Sequence, residues 1–253
     1  MQLEYIIKTH PQEKFYKVSL KREKTEYNDY CEVEVFHIGS YFSTSRTRLF
    51  SVGDLNKSIA RITLNAKHGK SGHGTFGIGP GSALGMLPGE HQNQGIITFC
   101  ATLLFDQLLD EYPDYSFHRG KLSHVDAQSE KTKLNRNNFY ENLNFRLDFS
   151  DYEKDITDPK ECGKHGYFYC DDVASLRRDY NKEKIQVLTA SDFQMLMLQN
   201  AKLEKDVTEL NQTNAYLRES RTDLEKIIGS LSNWRIGLGA ICLLLVGFTA
   251  FVG

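Results

Sequence analysis

Towards the C-terminus, leucine recurs at every seventh position: Leu196, Leu203, Leu210, Leu217, Leu224 and Leu231. Phe193, Val207 and Ile228 fall three residues before their leucines, so the two series form the a and d seam of a heptad repeat. The spacing predicts a coiled coil over 191–234. Leu at d with Val or Ile at some a positions favours two strands, and Asn200 and Asn214 at a fix the register at some cost in stability. A parallel homodimer through Phe193–Leu231 is the expected product. The e and g positions are too mixed in charge to name another partner. Beyond Trp234 and Arg235 the chain becomes uniformly apolar, and Ile236–Gly253 contains no charged residue. As a helix this stretch would be ~27 Å long, enough to span the hydrocarbon core of a bilayer. It is expected to be a C-terminal transmembrane anchor over 235–253. Trp234 suits the interface, and Arg235 and Lys226 keep the bulk of the chain cytoplasmic. Two anchors entering one membrane from one side also favour a parallel pairing.

The N-terminal portion reads differently. CEVEVFHI (31–38), YFSTSRTRLF (41–50), ARITLNA (60–66) and TFGIGPGSALGML (75–87) have the composition of successive strands separated by polar or Gly-rich turns. GIITFCATLLFDQLLDEY (95–112) sets Ile96, Cys100, Leu103, Leu104 and Leu108 at helical spacing along one face. KLSHV (121–125) follows as a short strand, and KLNRNNFYENL (133–143) as a second helix. The segment 151–190 is charged and weakly patterned, and reads as a strand or two followed by a connector. The chain therefore divides into a mixed α/β region over 1–150, the extra strands and connector of 151–190, the coiled coil and the anchor.

Composition narrows the function. With 40% hydrophobic and 25% charged residues, the 253-residue chain is that of an ordinary globular protein of one or two domains. A formal net charge of -2 and the lack of a dense Lys/Arg run argue against a nucleic-acid surface. Five scattered cysteines indicate a reducing compartment. Cys162, His165 and Cys170 lack the tight ligand spacing of a zinc site, so no metal is expected there. MQLEYIIKTHPQEK places charge and Pro where an export signal needs an apolar stretch. HGKSGHG has Leu64 where a Walker-type loop needs Gly, and the GxGxxG count from Gly77 reaches Ser82.

The stretch with chemical content is LPGEHQNQGIITFC, an extended segment and polar turn opening directly into a helix. A helix N-terminus presents unpaired N–H groups and the positive end of the dipole, and Gly95 allows an anion close to the main chain. Downstream lies NNFYENLNF, from Asn137 to Phe145. Together these resemble the GNAT superfamily of acetyl-CoA-dependent N-acetyltransferases. That family's cofactor loop reads Q/R-x-x-G-x-G/A, and a later helix reads roughly N-x-x-A-x-x-F-Y-E-K-L-G-F. Gln92-Asn93-Gln94-Gly95-Ile96-Ile97 falls on the first pattern, and Phe139-Tyr140-Glu141-Asn142-Leu143-Asn144-Phe145 on the second.

The resemblance, which covers about Ala83 to Phe145, implies a GNAT-like mixed, mainly antiparallel sheet with flanking helices. It implies that the strand ending near Leu87 offers its backbone to the pantetheine arm, and that main-chain N–H groups of Gln92–Ile97 hold the pyrophosphate of acetyl-CoA. Tyr140 would protonate the departing thiolate, with Glu90, His91 or Asp126 as candidate bases by position, and Asn135 would take the cofactor-side Asn role. The sequence departs from the pattern at Ile97 (Gly or Ala), Lys133 (Asn), Arg136 (Ala) and Asn144 (Gly). The function implied is a membrane-tethered N-acetyltransferase acting on an amine. The alternative is a catalytically inactive acyl-CoA or protein-binding module serving as a coiled-coil membrane adaptor.

Overall fold

The computed structural model describes residues 1–43, 48–69, 73–79, 87–124, 127–150 and 163–252, with the backbone alone described for 42–43, 48–49, 236 and 239–252. The chain forms two units, Met1–Gln194 and Met195–Gly253. The first is mixed α+β with a mainly antiparallel sheet. Its strands are β1 (Gln2–Thr9), β2 (Lys14–Lys24), β3 (Asn28–Ser43), β4 (Arg48–Val52), β5 (Ser58–His68), β6 (Gly74–Gly79), β7 (Ser116–Phe117), β8 (Gly120–Lys121), β9 (Arg146–Asp148), β10 (Tyr167–Tyr169) and β11 (Ile185–Leu188). The main sheet runs β11-β1-β2-β3-β5-β6-β7 with β4 paired to β3, and a second sheet runs β8-β10-β9. All pairings are antiparallel except β6 with β7.

Period-two alternation explains the main sheet. Tyr16, Val18 and Leu20 of β2, Cys31, Val33 and Val35 of β3, and Ala60, Ile62 and Leu64 of β5 are all buried on one face. Helix α1 (Ile96–Leu108) lies in the same core. Its buried residues differ from the single stripe read from the sequence: Ile96, Cys100, Leu104 and Leu108 are buried, Leu103 is only partly so, and Phe99, Ala101, Thr102 and Phe105 are added. The helix is covered on more than one side: Tyr180 meets Phe99 edge-on, with ring centroids 4.8 Å apart, and Phe105 packs beside Phe117 and Phe145 at 6.2 and 6.3 Å. Helix α2 (Glu130–Asn142) opens on a capping box in which the Ser129 hydroxyl accepts from Thr132 N at 3.2 Å and Thr132 Oγ1 accepts from Ser129 N at 3.1 Å.

The feature that positions the site is a fork. Strands β6 and β7 run parallel only at Thr75/Ser116 and Phe76/Phe117. Beyond that point β6 stays with β5 through Gly79, whereas the other chain passes into β8 and pairs with β10. The base of the fork is packed by aromatic rings, Phe76 against Phe117 at 5.3 Å and Phe117 against Phe145 at 5.1 Å. Gly120 is required on the far arm, since a Cβ there would fall 2.1 Å from the Phe168 ring.

The strand expected over 41–50 divides between the end of β3 and β4, with 44–47 outside the described residues. The strand expected over 75–87 ends at Gly79, with 80–86 likewise outside them. Among the described residues of KLSHV, Lys121 alone lies in a strand, and Val125 is outside the described residues. Residues 163–188 are integrated into the compact unit, because β10 completes the second sheet and β11 pairs along β1 from Ile6/Leu188 to Thr9/Ile185. Strands β1 and β2 are additions to the sequence reading.

Helix α3 spans Ala190–Val252. Leu203, Leu210, Leu217, Leu224 and Leu231 are each more than half exposed on this single chain. Among the described residues, no helix is long and apolar enough to cross a membrane. Of the segment read as the anchor, Ile236, residues 239–252 and Gly253 lie outside the residues whose side chains are described.

A partly buried ionic cluster around Asp29 fastens β2 and β3 to the chain just after α1. Arg22 donates from Nε to Asp29 Oδ1 at 3.0 Å and from Nη1 to Glu111 Oε1 at 2.6 Å, and the Tyr112 hydroxyl donates to Asp29 Oδ2 at 2.9 Å. Burial pushes the Asp29 carboxyl up, but the Arg22 and Tyr112 hydrogen bonds outweigh it and hold the group below its ordinary value. Hydrogen bonds from Arg22 and Lys24 hold Glu111 down at about 2. Both folded-state values are depressed, so the stabilisation is present above the unfolded carboxylate range near ~4 and is lost as pH falls through the folded values. Thermal denaturation across pH about 5 to 2 should show a falling midpoint. Asp29→Asn should be less stable at neutral pH and lose less on acidification.

Candidate active site

The loop before α1 is shaped by its backbone. A short 3-10 turn, Gly89–His91, leads to Asn93 (φ 62°) and Gly95 (φ 79°), both left-handed. Gly95 is the N-cap of α1; no side chain caps it and no acidic residue lies in the first turn. The first intrahelical bond is Phe99 N to Gly95 O at 2.9 Å. The N–H groups of Ile96, Ile97 and Thr98 therefore have no intrahelical acceptor and stand at the positive end of the helix dipole.

The loop is pinned from behind by a buried polar knot. Gln94 Oε1 accepts from the Thr9 hydroxyl at 2.8 Å and from the Tyr16 hydroxyl at 3.0 Å, while Gln94 Nε2 donates to Gln12 Oε1 at 2.8 Å and Glu90 O at 3.0 Å. His91 Nδ1 sits 2.9 Å from the Tyr16 hydroxyl, and its ring lies 4.8 Å from that of His37. Burial, then the charge on Lys14, lowers the pKa of both histidines. From the other side, Gln92 Nε2 donates to Leu87 O at 2.9 Å and Asn135 Nδ2 donates to Gln92 Oε1 at 3.5 Å, linking the loop to α2.

Between the arms of the fork lies a cavity of about 840 Å³, within the roughly 300–1,000 Å³ range of ligand clefts. Its walls come from β5 and β6, the loop and first turn of α1, β8, α2 and β10. Arg61, Lys121, Arg136 and Lys184 are the charged residues in its described lining, which holds no carboxylate. Arg61 is ion-paired with Glu34 and lies 3.6 Å from Glu32, and the Arg136 guanidinium donates to Ser123 O, Lys164 O and Gly163 O, so Lys121 and Lys184 are the cations of this lining that favour an anionic ligand.

The sequence FYENLNF is accounted for by a helix ending. Phe145 N donates to Tyr140 O at 3.0 Å and Asn144 N to Glu141 O at 2.9 Å, the two bonds of a Schellman motif. Asn144 supplies the left-handed residue, φ 68°, that the motif requires. The departure from Gly at this position therefore retains the backbone role, since Asn tolerates that conformation. Tyr140 stacks on Phe168, with centroids 4.1 Å apart and planes 20° apart, and faces the cavity.

Of the residues marked by the sequence, Leu87, Gln92, Asn93, Gln94, Gly95, Ile96 and Ile97 line this one cavity, as do Asn135 and Tyr140 across it. Glu90 is not in the lining; its exposed carboxylate lies 3.2 Å from His91 Nε2. His91 is buried behind the loop, and Asp126 lies outside the described residues. Ile97 packs partly against the core, and Arg136 is buried. Sequence reasoning missed Arg61, Lys121 and Lys184 because their convergence is tertiary and no local motif announces it. Cys162 lies outside the described residues, and Cys170 is buried with its thiol donating to Asp172 O at 2.9 Å. Among the described residues no group of His, Cys, Asp or Glu is arranged to hold a metal ion. No protein-family model, curated protein or solved structure matches the chain.

Proposed function

We propose that the protein is a membrane-tethered N-acetyltransferase that moves an acetyl group from acetyl-CoA to an amine. One observation carries the reading: the parallel β6–β7 pair parts after Phe76/Phe117, and the wedge runs to an uncapped helix N-terminus in a cavity that Lys121 and Lys184 line and whose described lining holds no carboxylate. A pyrophosphate suits the N–H groups of Ile96, Ile97 and Thr98, and an uncharged pantetheine arm suits the wedge. The leucine seam of α3 supports a parallel dimer, and the uncharged stretch Ile236–Gly253 supports the anchor.

In the proposed transfer the amine lone pair attacks the thioester carbon, forming the C–N bond, and collapse of the tetrahedral adduct breaks the C–S bond. The sulfur leaves as thiolate and takes the Tyr140 phenol proton, while the amine loses a proton. No carboxylate or imidazole lies in the described lining to accept that proton, so it passes to water, from which Tyr140 is reprotonated. The lack of a described base also favours a second reading, an acyl-CoA-binding module without turnover.

The two are separated with full-length chain extracted from membranes in detergent, where a dimer that binds acetyl-CoA is expected. Tyr140→Phe should lower kcat by about 10²–10⁴-fold, the usual worth of a general acid, while leaving acetyl-CoA affinity nearly unchanged. Binding without turnover across an amine panel selects the non-catalytic module, and absence of binding by folded chain overturns both.

A further inference from the structure

The segment after the second sheet brings a cation to the helix N-terminus that the loop itself does not carry. Lys184 lines the fork cavity, whereas its neighbours Lys182 and Glu183 do not. A Cβ built on Gly95 would lie 4.0 Å from Lys184 Cβ and 3.6 Å from Ile185 Cδ1, so the side chains of Lys184 and Ile185 start beside the N-cap of α1. The position is held firmly. Lys184 N donates to Asn181 O at 3.1 Å and to Asn181 Oδ1 at 3.2 Å, and Lys184 O accepts from His10 N at 2.8 Å. Ile185 is buried and paired with Thr9 across β11 and β1. A lysine side chain on a solvated loop is ordinarily without consequence. This one starts from a fixed Cα, beside the unpaired N–H groups of Ile96, Ile97 and Thr98, in a lining that holds no described carboxylate to neutralise it.

We propose that Lys184 is a phosphate-binding residue of this site, closing over a phosphate group of the acyl-CoA from the side opposite α2. The inference rests on the acyl-CoA reading above and assigns the turn before β11 a part in co-substrate recognition. Two phosphates of the ligand have the required chemistry, the pyrophosphate and the adenosine 3′-phosphate.

The test is titration of acetyl-CoA into full-length detergent-extracted chain, repeated at several salt concentrations. Lys184→Ala should weaken binding about tenfold, as loss of a charge-assisted contact does, and should flatten the dependence of affinity on salt. Lys184→Arg should restore most of the affinity, and Lys182→Ala should match the parent. A loss that disappears when acetyl-3′-dephospho-CoA is the ligand assigns Lys184 to the 3′-phosphate, and an unchanged loss assigns it to the pyrophosphate. Parent chain that binds acetyl-CoA while Lys184→Ala binds it equally tightly overturns the inference and leaves the acyl-CoA reading standing. Folded parent chain with no affinity for acetyl-CoA overturns both.

Discussion

Gly95→Glu is expected to abolish acetyl-CoA binding while the chain still folds. The position has φ 79°, where a residue with a Cβ pays roughly 1–2 kcal/mol. Space is not the obstacle, because the nearest side-chain atom to an added Cβ is Ile185 Cδ1 at 3.6 Å. The variant should therefore lose a few degrees of thermal stability. Binding should suffer far more, since the new carboxylate would stand at the N–H groups proposed to hold the pyrophosphate. Like charges placed together cost several kcal/mol, on the order of 100-fold or more in affinity. Gly95→Asn separates the two effects, because Asn accepts the left-handed backbone and carries no charge. It should fold like the parent and bind at an intermediate level. Unchanged binding by Gly95→Glu would remove the loop from the site.

How far the site was legible follows from where its signals lie. The loop from Gln92 to Ile97 and the helix ending at Phe145 each carry their geometry in a few consecutive residues. Glycine and asparagine mark left-handed positions, and a polar turn runs into an apolar periodic stretch. Tyr140, Asn135 and the first turn of α1, which those local features mark, line one cavity. Glu90 lies on the same loop, but spacing does not say which way a 3-10 turn directs its side chains; there His91 is the residue turned inward. The cations were not legible, because Arg61 comes from the middle of β5, Lys121 from β8 and Lys184 from a turn far along the chain. Only the register of the fork and of β11 brings them together.

The sheet divides in the same way. Strand β3 is readable because Cys31, Val33 and Val35 alternate with Glu32 and Glu34. The alternation of Tyr16, Val18 and Leu20 with Lys17, Ser19 and Lys21 was present as a signal for β2, although its lysines give the stretch a polar look. Strand β11 offers four residues with Gln186 in the middle, and its identity as a strand derives from pairing with β1. The leucine seam of α3 is plain in sequence, yet on one chain its leucines from Leu203 to Leu231 are exposed.

Arg136 is the buried charged residue of α2, and Arg136→Leu is expected to be the most destabilising change in this region. Its guanidinium is buried and donates to Ser123 O at 2.7 Å, Lys164 O at 2.9 Å and Gly163 O at 2.5 Å, with Asn137 Oδ1 also at 2.8 Å. Three carbonyls from two loops are thus gathered onto one residue of α2. Leucine fills part of the volume and satisfies none of them; the carbonyls are only partly buried, so each costs toward the low end of the roughly 1–3 kcal/mol for an acceptor left unpaired. A loss of ~3 kcal/mol or more should lower the melting midpoint by on the order of 10 °C in a unit of this size. Leu134→Ala, on the exposed side of the same helix, should stay within about 0.5 kcal/mol of the parent. Because α2 carries Asn135 and Tyr140, acetyl-CoA affinity should fall with stability in Arg136→Leu. Arg136→Lys, which restores one or two of the donors, should recover both in part. If Arg136→Leu melts like the parent, the loops at Ser123 and Gly163 are held by something other than this side chain.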